Sequence, residues 1–279
     1  MLFRYFLVII LECLRKFGDY SRPGVPVEEF AAVVNSELRP DVRRVSLLIS
    51  LLQSVGCEPC GEALELGCGY GFLLFPMALF NPKLHWTAVE HPDRSFFSRE
   101  DFQQALRDYK CELAGVDFVH QRLPFADESF SVVTLSETLE HLPIEGVNFV
   151  FDEVTRVLRP GGILVASSPN QASLENRIHL LKGKSIFDLP KYLAVAKGIY
   201  GHIRLYTPAE MCQLMSERGF VLERFVLESN NSAFRGNSPH SLYRTLYRLY
   251  ENAEQHLEFL RNFGDTWYMV FRKNSCQPS

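Results

Sequence analysis

A turn built from three alternating glycines, placed directly after a short apolar strand, limits what this chain can become. The segment Glu65-Leu66-Gly67-Cys68-Gly69-Tyr70-Gly71-Phe72 follows the apolar run 63–66 and leads into a stretch with helical spacing at 72–80. Glycine lets the backbone turn sharply and approach a ligand with no Cβ in between. The helix start behind such a turn offers free N–H groups and the positive end of a dipole, which suit an anionic group. A dinucleotide fingerprint, G-x-G-x-x-G, needs glycine where Phe72 stands, so a nicotinamide dehydrogenase is disfavoured. What stands instead is E-x-G-x-G-x-G.

The rhythm around this turn is that of an open α/β sheet. Short apolar strands are expected at 63–66, 84–90, 116–120, 130–136, 163–167, 220–227 and 266–272. Helices are expected at 27–37, 41–55, 72–80, 95–109, 144–158, 208–218 and 241–263, with a further helix start near Glu137. Pro160-Gly161-Gly162 stops one of them and Gly219 closes another. Strands alternating with helices call for a parallel sheet covered on both faces, with ligands at the carboxyl ends of the strands. The expected fold is therefore α/β: a Rossmann-like, seven-stranded, mostly parallel sheet with helices on both faces and a helical lid insertion. The lid is the stretch 171–206, too long and irregular for a simple connection. An N-terminal helical segment, 1–44, precedes the main domain, 45–273, which carries that lid and a helical insertion at 238–263. Residues 274–279 form a tail.

Composition narrows the setting. Hydrophobic content of 47% and charged content of 22% are those of a soluble globular chain. The formal net charge of −4 gives no reason to expect a nucleic-acid partner. Seven scattered cysteines, an odd number, suit free thiols in a reducing compartment and thus a cytoplasmic protein. Cys57 and Cys60 form a lone C-x-x-C that an apolar strand follows, so it reads as incidental. The uncharged run 5–11 is far short of the ~20 residues that span a bilayer. It reads either as a helix packed on the domain or as an interfacial helix with Arg4, Arg15 and Lys16 at headgroup level.

From Glu65 to Gly71 the sequence resembles the first motif of the class I S-adenosylmethionine (SAM)-dependent methyltransferases, and the likeness runs over roughly 45–273. The resemblance implies SAM as cofactor, with Glu65, Gly67, Cys68, Gly69 and Gly71 around its methionine part. Glu90, ending the second strand, matches the acidic position that holds the ribose diol. Its two oxygens can each accept one of two adjacent hydroxyls. His91 would flank the adenine. The segment 123–142 resembles the third motif and fourth strand, which places Leu123 near the adenine and Ser136 in the cofactor set. RVLRPGGILVASSPN, 156–170, resembles the following helix, turn and fifth strand. Two positions depart from the pattern. His120, Gln121 and Arg122 stand where an acid is usual, so adenine recognition falls to backbone or Gln121. Ser131 replaces an aspartate.

Glu137-x-x-Glu140-His141 lies just past the fourth strand. On a helix, spacings of three and four put these side chains on one face. Two carboxylates and an imidazole suit Mg²⁺, Mn²⁺ or Zn²⁺. The same E-x-x-E-H pattern resembles two metal-using groups, the ubiquinone-pathway O-methyltransferases and the small-RNA terminal 2′-O-methyltransferases. Both have a further histidine downstream, which Gly201-His202 resembles, and GHIRLYTPAEM is closest to the small-molecule group. Two readings stay open: a divalent metal on Glu137, Glu140, His141 and His202, or no metal, with Glu140 and His141 capping and bracing the helix and His141 acting alone as base. His141 and Glu137 are the catalytic candidates. Ile178, Leu180, Leu181, Ile186, Phe187, Leu189, Tyr192 and Leu193 in the lid make an apolar acceptor pocket, a small satellite core, or both. The expected activity is O-methylation of a small apolar or aromatic acceptor. The alternatives are N-methylation, a sugar or lipid-linked acceptor, and a cofactor-binding module without catalysis.

Overall fold

The computed structural model describes residues 39–55, 60–94, 100–187, 202–228 and 263–275. The segment 1–44 lies mostly outside these residues, as do the helix 27–37, Cys57, the middle of the lid and nearly all of the helix 241–263.

Among the described residues, α1 (Arg39–Ser54) leads into β1 (Gly61–Leu66), α2 (Leu74–Phe80), β2 (Leu84–Glu90), α3 (Glu100–Asp108) and β3 (Glu112–Gly115). Then come β4 (Phe130–Ser136), α4 (Ile144–Val157), β5 (Leu158–Pro169), α5 (Leu174–Leu181), α6 (Pro208–Ser216), β6 (Phe220–Glu228) and β7 (Thr266–Lys273). They form one seven-stranded sheet in the order β3-β2-β1-β4-β5-β7-β6. The first five pair in parallel, while β7 runs antiparallel to both β5 and β6.

Side chains on successive strand residues point to opposite faces, and the central strands bury both. Along β5, Ile163 and Val165 join one core with Leu48 and Leu52 of α1, Phe75 of α2 and Phe102 of α3. Leu164 and Ala166 join the other, with Phe151 and Val154 of α4 and Met211 of α6. The expected fold class, including helices on both faces, is what the structure has.

Three local expectations need correction. The third strand is Glu112–Gly115, not 116–120. Val116 and Phe118 are buried, but Asp117 Oδ1 accepts the Val119 N–H and the Asp117 carbonyl accepts those of His120 and Gln121, which closes a turn there. Second, Pro160-Gly161-Gly162 does not separate α4 from its strand. Leu158 is already extended, and the triplet forms an irregularity inside β5. Third, no α-helix begins at Glu137. Only one 3-10 turn, Leu139–His141, forms before Pro143, and the residue before a proline avoids the α conformation.

Candidate functional site

In an open parallel sheet the ligand crevice lies where the strand order reverses, outside the carboxyl ends of the strands. Here the order reverses between β1 and β4, so the loops after these two strands face one another across the crevice.

The β1 side is a cradle. Gly67 and Gly69 both have positive φ, at 74° and 49°. A Cβ on Gly67 would meet the Thr138 side chain at 2.6 Å, whereas one on Gly69 would meet nothing within 4 Å. Gly67 thus brings β1 and β4 together, and Gly69 borders open space. Glu90 locks the turn from the next strand. Its Oε2 accepts the Gly69 N–H and its Oε1 the His91 N–H, both at 2.9 Å, and Arg94 Nε donates to Oε1 at 3.3 Å. A carboxylate oxygen accepts more than one hydrogen bond, so this acid keeps capacity for a ligand's hydroxyls. Behind the turn, Glu65 is buried, and among the described residues its Oε2 has no hydrogen-bond partner. Burial, then the charge of Glu90, push its pKa up to about 8, against a smaller opposing pull from Arg44. Cys68 is buried, and burial drives its thiol pKa well up, so it is no nucleophile.

The segment leading into β4 is pinned from α4. Glu153 Oε2 accepts the Leu123 N–H at 2.7 Å, and Arg156 donates to the carbonyls of Leu123 and Phe125. Leu123 is buried, and Gln121 is exposed. Near them stands an acid that the local pattern at 120–122 did not offer: Asp117. It lies 3.8 Å from His91 Nε2 and 2.9 Å from His120 Nδ1. Desolvation opposes ionisation of this carboxyl, but the hydrogen bond and charge of His120 outweigh it and hold the pKa below its ordinary value.

Across the crevice, β4 ends in polar groups held by β5. Ser136 Oγ lies 2.8 Å from Ser167 Oγ, and Ser167 Oγ donates to Glu137 Oε1 at 3.0 Å. Glu137 itself sits at φ 50°, a left-handed conformation unusual for a residue with a side chain. Arg44 of α1 reaches its other oxygen at 3.5 Å. Glu140 is buried and accepts the Ser168 hydroxyl at 3.0 Å. Burial first, then the charge of Glu137, raise its pKa well above the usual range. The Glu140 carbonyl accepts the N–H groups of Ile203 and Arg204, which seats the returning segment beside it. His202 arrives with that segment, its ring T-shaped to that of His141 at 5.1 Å between centroids.

Glu140, His141 and His202 can each offer one donor atom, all within 4.8 Å of one another. This corrects the four-ligand expectation, because Glu137 is not in that set. Without a helix at 137–141 the spacing no longer puts Glu137 on the same face, and its carboxylate turns to Ser167 and Arg44. Sequence reading also missed Arg44, Ser168 and Asp117. Ser168 and Asp117 were visible as polar residues at strand ends, but nothing local pointed to Arg44.

The comparisons fit this geometry. Residues 64–166 match the family model of a methyltransferase domain. Over 114 residues the chain is 29% identical to the sterol 4-C-methyltransferase strm-1 of Caenorhabditis elegans, covering 41% of this chain and 31% of that protein. Over 165 residues it is 26% identical to the ubiquinone biosynthesis O-methyltransferase of Aeromonas salmonicida, covering 57% and 62%. The chain thus spans roughly a third to three fifths of the length of these curated relatives. A SAM-dependent methyltransferase of Thermotoga maritima shares the fold at TM-score 0.53 and 17% identity, covering 95% of this chain and all of that one.

Proposed function

We propose that the protein is a SAM-dependent methyltransferase that methylates an oxygen of a small apolar or aromatic acceptor. One observation supports this most: the glycine turn after β1, backed by Glu65 and Glu90, lies against Thr138 of the 137–141 segment after β4, at the point where the strand order reverses. In this reading the Gly67–Gly71 turn and Glu65 take the methionine end, Glu65 facing its ammonium. Glu90 takes the ribose, and Leu123 with His91 flanks the base, where Asp117 substitutes for the acid absent at 120–122. Methyl transfer is an in-line displacement: the acceptor oxygen forms a bond to the methyl carbon while the carbon–sulfur bond breaks, its electron pair staying on sulfur. The side chains align the partners and exclude water. A hydroxyl acceptor also gives up a proton, and Glu137 or His141 stands ready to take it.

Calorimetry with S-adenosylhomocysteine, set against NADH, tests the cofactor assignment. Gly69→Trp should abolish binding by filling the open space. Glu90→Ala should weaken it by about 1.5–3 kcal/mol, as expected for hydrogen bonds to a charged group. Binding of NADH in preference would overturn the reading. Transfer of an isotopic label from SAM into a cell extract, followed by mass spectrometry, would identify the acceptor.

We further propose that Glu140, His141 and His202 hold one divalent cation. One carboxylate and two imidazoles are a donor set that suits Zn²⁺ or Mn²⁺ better than Mg²⁺. Ser168, bonded to Glu140, would orient the carboxylate from behind. Such a cation supplies Lewis acidity at the acceptor oxygen. Elemental analysis of purified protein, with activity before and after chelation, checks this. His141→Ala and His202→Ala should then lose both metal and turnover to a similar degree. Full turnover in metal-free protein, with His202→Ala mild and His141→Ala severe, would leave His141 as a lone base.

A further inference from the structure

Helix α5 is unusual in burying none of its side chains. Its last turn presents two adjacent leucines to solvent, Leu180 at 60% and Leu181 at 88% exposure. Lys182, Gly183 and Lys184 follow and are also exposed. Across 174–184, the three cations Arg177, Lys182 and Lys184 stand against the single acid Glu175, in a chain whose net charge is −4. Isolated exposed leucines need no explanation. An exposed pair followed at once by two exposed lysines combines apolar area with positive charge, the two features by which surface helices enter a lipid interface.

The root of this helix is tied to the site. Ser173 caps its start, and Asn176 Nδ2 donates to the carbonyls of Asn170 and Gln171. Asn170 in turn is buried and bonded to the Gly264 carbonyl. It stands two residues past Ser168, which holds Glu140. The eight residues of α5 span about 12 Å, so the leucine tip stands one short helix away from the rim of the crevice.

We propose that the Leu180–Lys184 tip docks on an anionic lipid bilayer, with the leucines at the acyl boundary and the lysines among the headgroup phosphates. The charge chooses this occupant. A second copy meeting the same tip across a two-fold axis would set lysines against lysines. An anionic surface complements them, and a chain of net negative charge needs such a local cationic point to approach it. Among the described residues no helix is long and apolar enough to cross a membrane, so the contact is peripheral. An apolar acceptor dissolved in the bilayer would then meet the crevice at its surface, a consequence that rests on the proposed acceptor class. The docking itself does not.

Co-sedimentation of the full chain with vesicles tests it. Binding should be firm to an equal mixture of phosphatidylglycerol and phosphatidylcholine, weak to phosphatidylcholine alone, and reduced by added salt. The double variant Leu180→Ser/Leu181→Ser should bind about tenfold less. Lys182→Glu/Lys184→Glu should lose the preference for the anionic mixture. Both should melt like the parent chain and bind S-adenosylhomocysteine equally well, which separates this proposal from the cofactor assignment. Four outcomes would overturn it: no vesicle binding by the parent chain, undiminished binding by the serine variant, loss of binding on Arg4→Glu/Arg15→Glu/Lys16→Glu alone, or a dimer in gel filtration that the serine substitutions dissolve.

Discussion

Replacing Glu65 by glutamine should make the cofactor-free protein more stable at neutral pH and, at the same time, weaken its hold on S-adenosylhomocysteine. Glu65 is buried, one of its oxygens lacks a partner among the described residues, and its pKa in the folded chain is pushed up to about 8 from an ordinary 4.5. Below pH 4.5 the carboxyl is protonated in both states and costs nothing. As pH rises from there to about 8, the unfolded chain releases a proton that the folded chain retains, so stability falls by about 1.4 kcal/mol per pH unit. At pH 7 the accumulated cost is about 3 kcal/mol. Glutamine cannot ionise and removes that cost, but it leaves one buried amide group unpartnered, which takes back about 1–2 kcal/mol. The net gain at pH 7 should be about 1–2 kcal/mol, should pass through zero at about pH 5–6, and should reverse towards pH 4, where melting curves should show the variant about 1–2 kcal/mol less stable than the parent. Binding moves the other way. A ligand ammonium against the ionised carboxylate contributes about 1.5–3 kcal/mol, so affinity should drop by about ten- to a hundredfold. A second readout comes from calorimetry at pH 7 in buffers of different ionisation enthalpy. The parent chain should release close to one proton on binding, because the ammonium drives Glu65 to ionise, and the variant should release none. Equal affinity with no proton release from either protein would remove Glu65 from the ligand site.

What could be read in advance follows the range of the interactions. The central strand β4 was legible to the residue because burial on both faces leaves a run with no charged side chain, rich in Val, Leu and Phe and bounded here by Ser129 and Glu137. The glycine turn was legible because positive φ and close approach both demand glycine at defined spacing. The third strand slipped by several residues. Its real members, Glu112–Gly115, are only partly buried at the sheet edge, while the more apolar Val116 and Phe118 are buried beneath a turn. The Glu137–His141 segment failed for a local reason, since three-and-four spacing has meaning only on a helix and Pro143 cuts the helix off. Arg44 could not be found at all. It lies 93 positions before Glu137 in the chain, and only the packing of α1 against the sheet brings the two together. His202 was found by resemblance alone, and the structure shows the means: the Glu140 carbonyl clasps the two residues that follow it.

Two left-handed residues on either side of the crevice should respond to substitution in opposite ways. Gly67 holds φ at 74°, and a Cβ there would overlap Thr138 at 2.6 Å. Thr138 has little room to yield, because its hydroxyl bonds the carbonyls of Leu66 and Ser136. Gly67→Ala therefore combines backbone strain of about 1–2 kcal/mol with overpacking of about 1–3 kcal/mol. Denaturant unfolding should show a loss of about 3–4 kcal/mol. Adding Thr138→Ala should recover part of the overpacking, giving a coupling energy in the double-mutant cycle. Glu137 presents the reverse case. Its φ of 50° strains a residue with a side chain, and strain of this kind persists where the surroundings, here Ser167 and Arg44, hold the residue in place. Glu137→Gly relieves the strain, loses those two contacts and frees the unfolded chain. The terms nearly cancel, so stability should change by no more than about 1 kcal/mol. Turnover should nevertheless fall by about 10²–10⁴, the usual contribution of a positioned proton acceptor. Glu137→Gln, which keeps the reach but not the charge, should be comparably slow if the carboxylate takes the acceptor proton. A Glu137→Gly protein with full turnover would show that the strained glutamate only braces Arg44 and β5, and would leave His141 to take the proton.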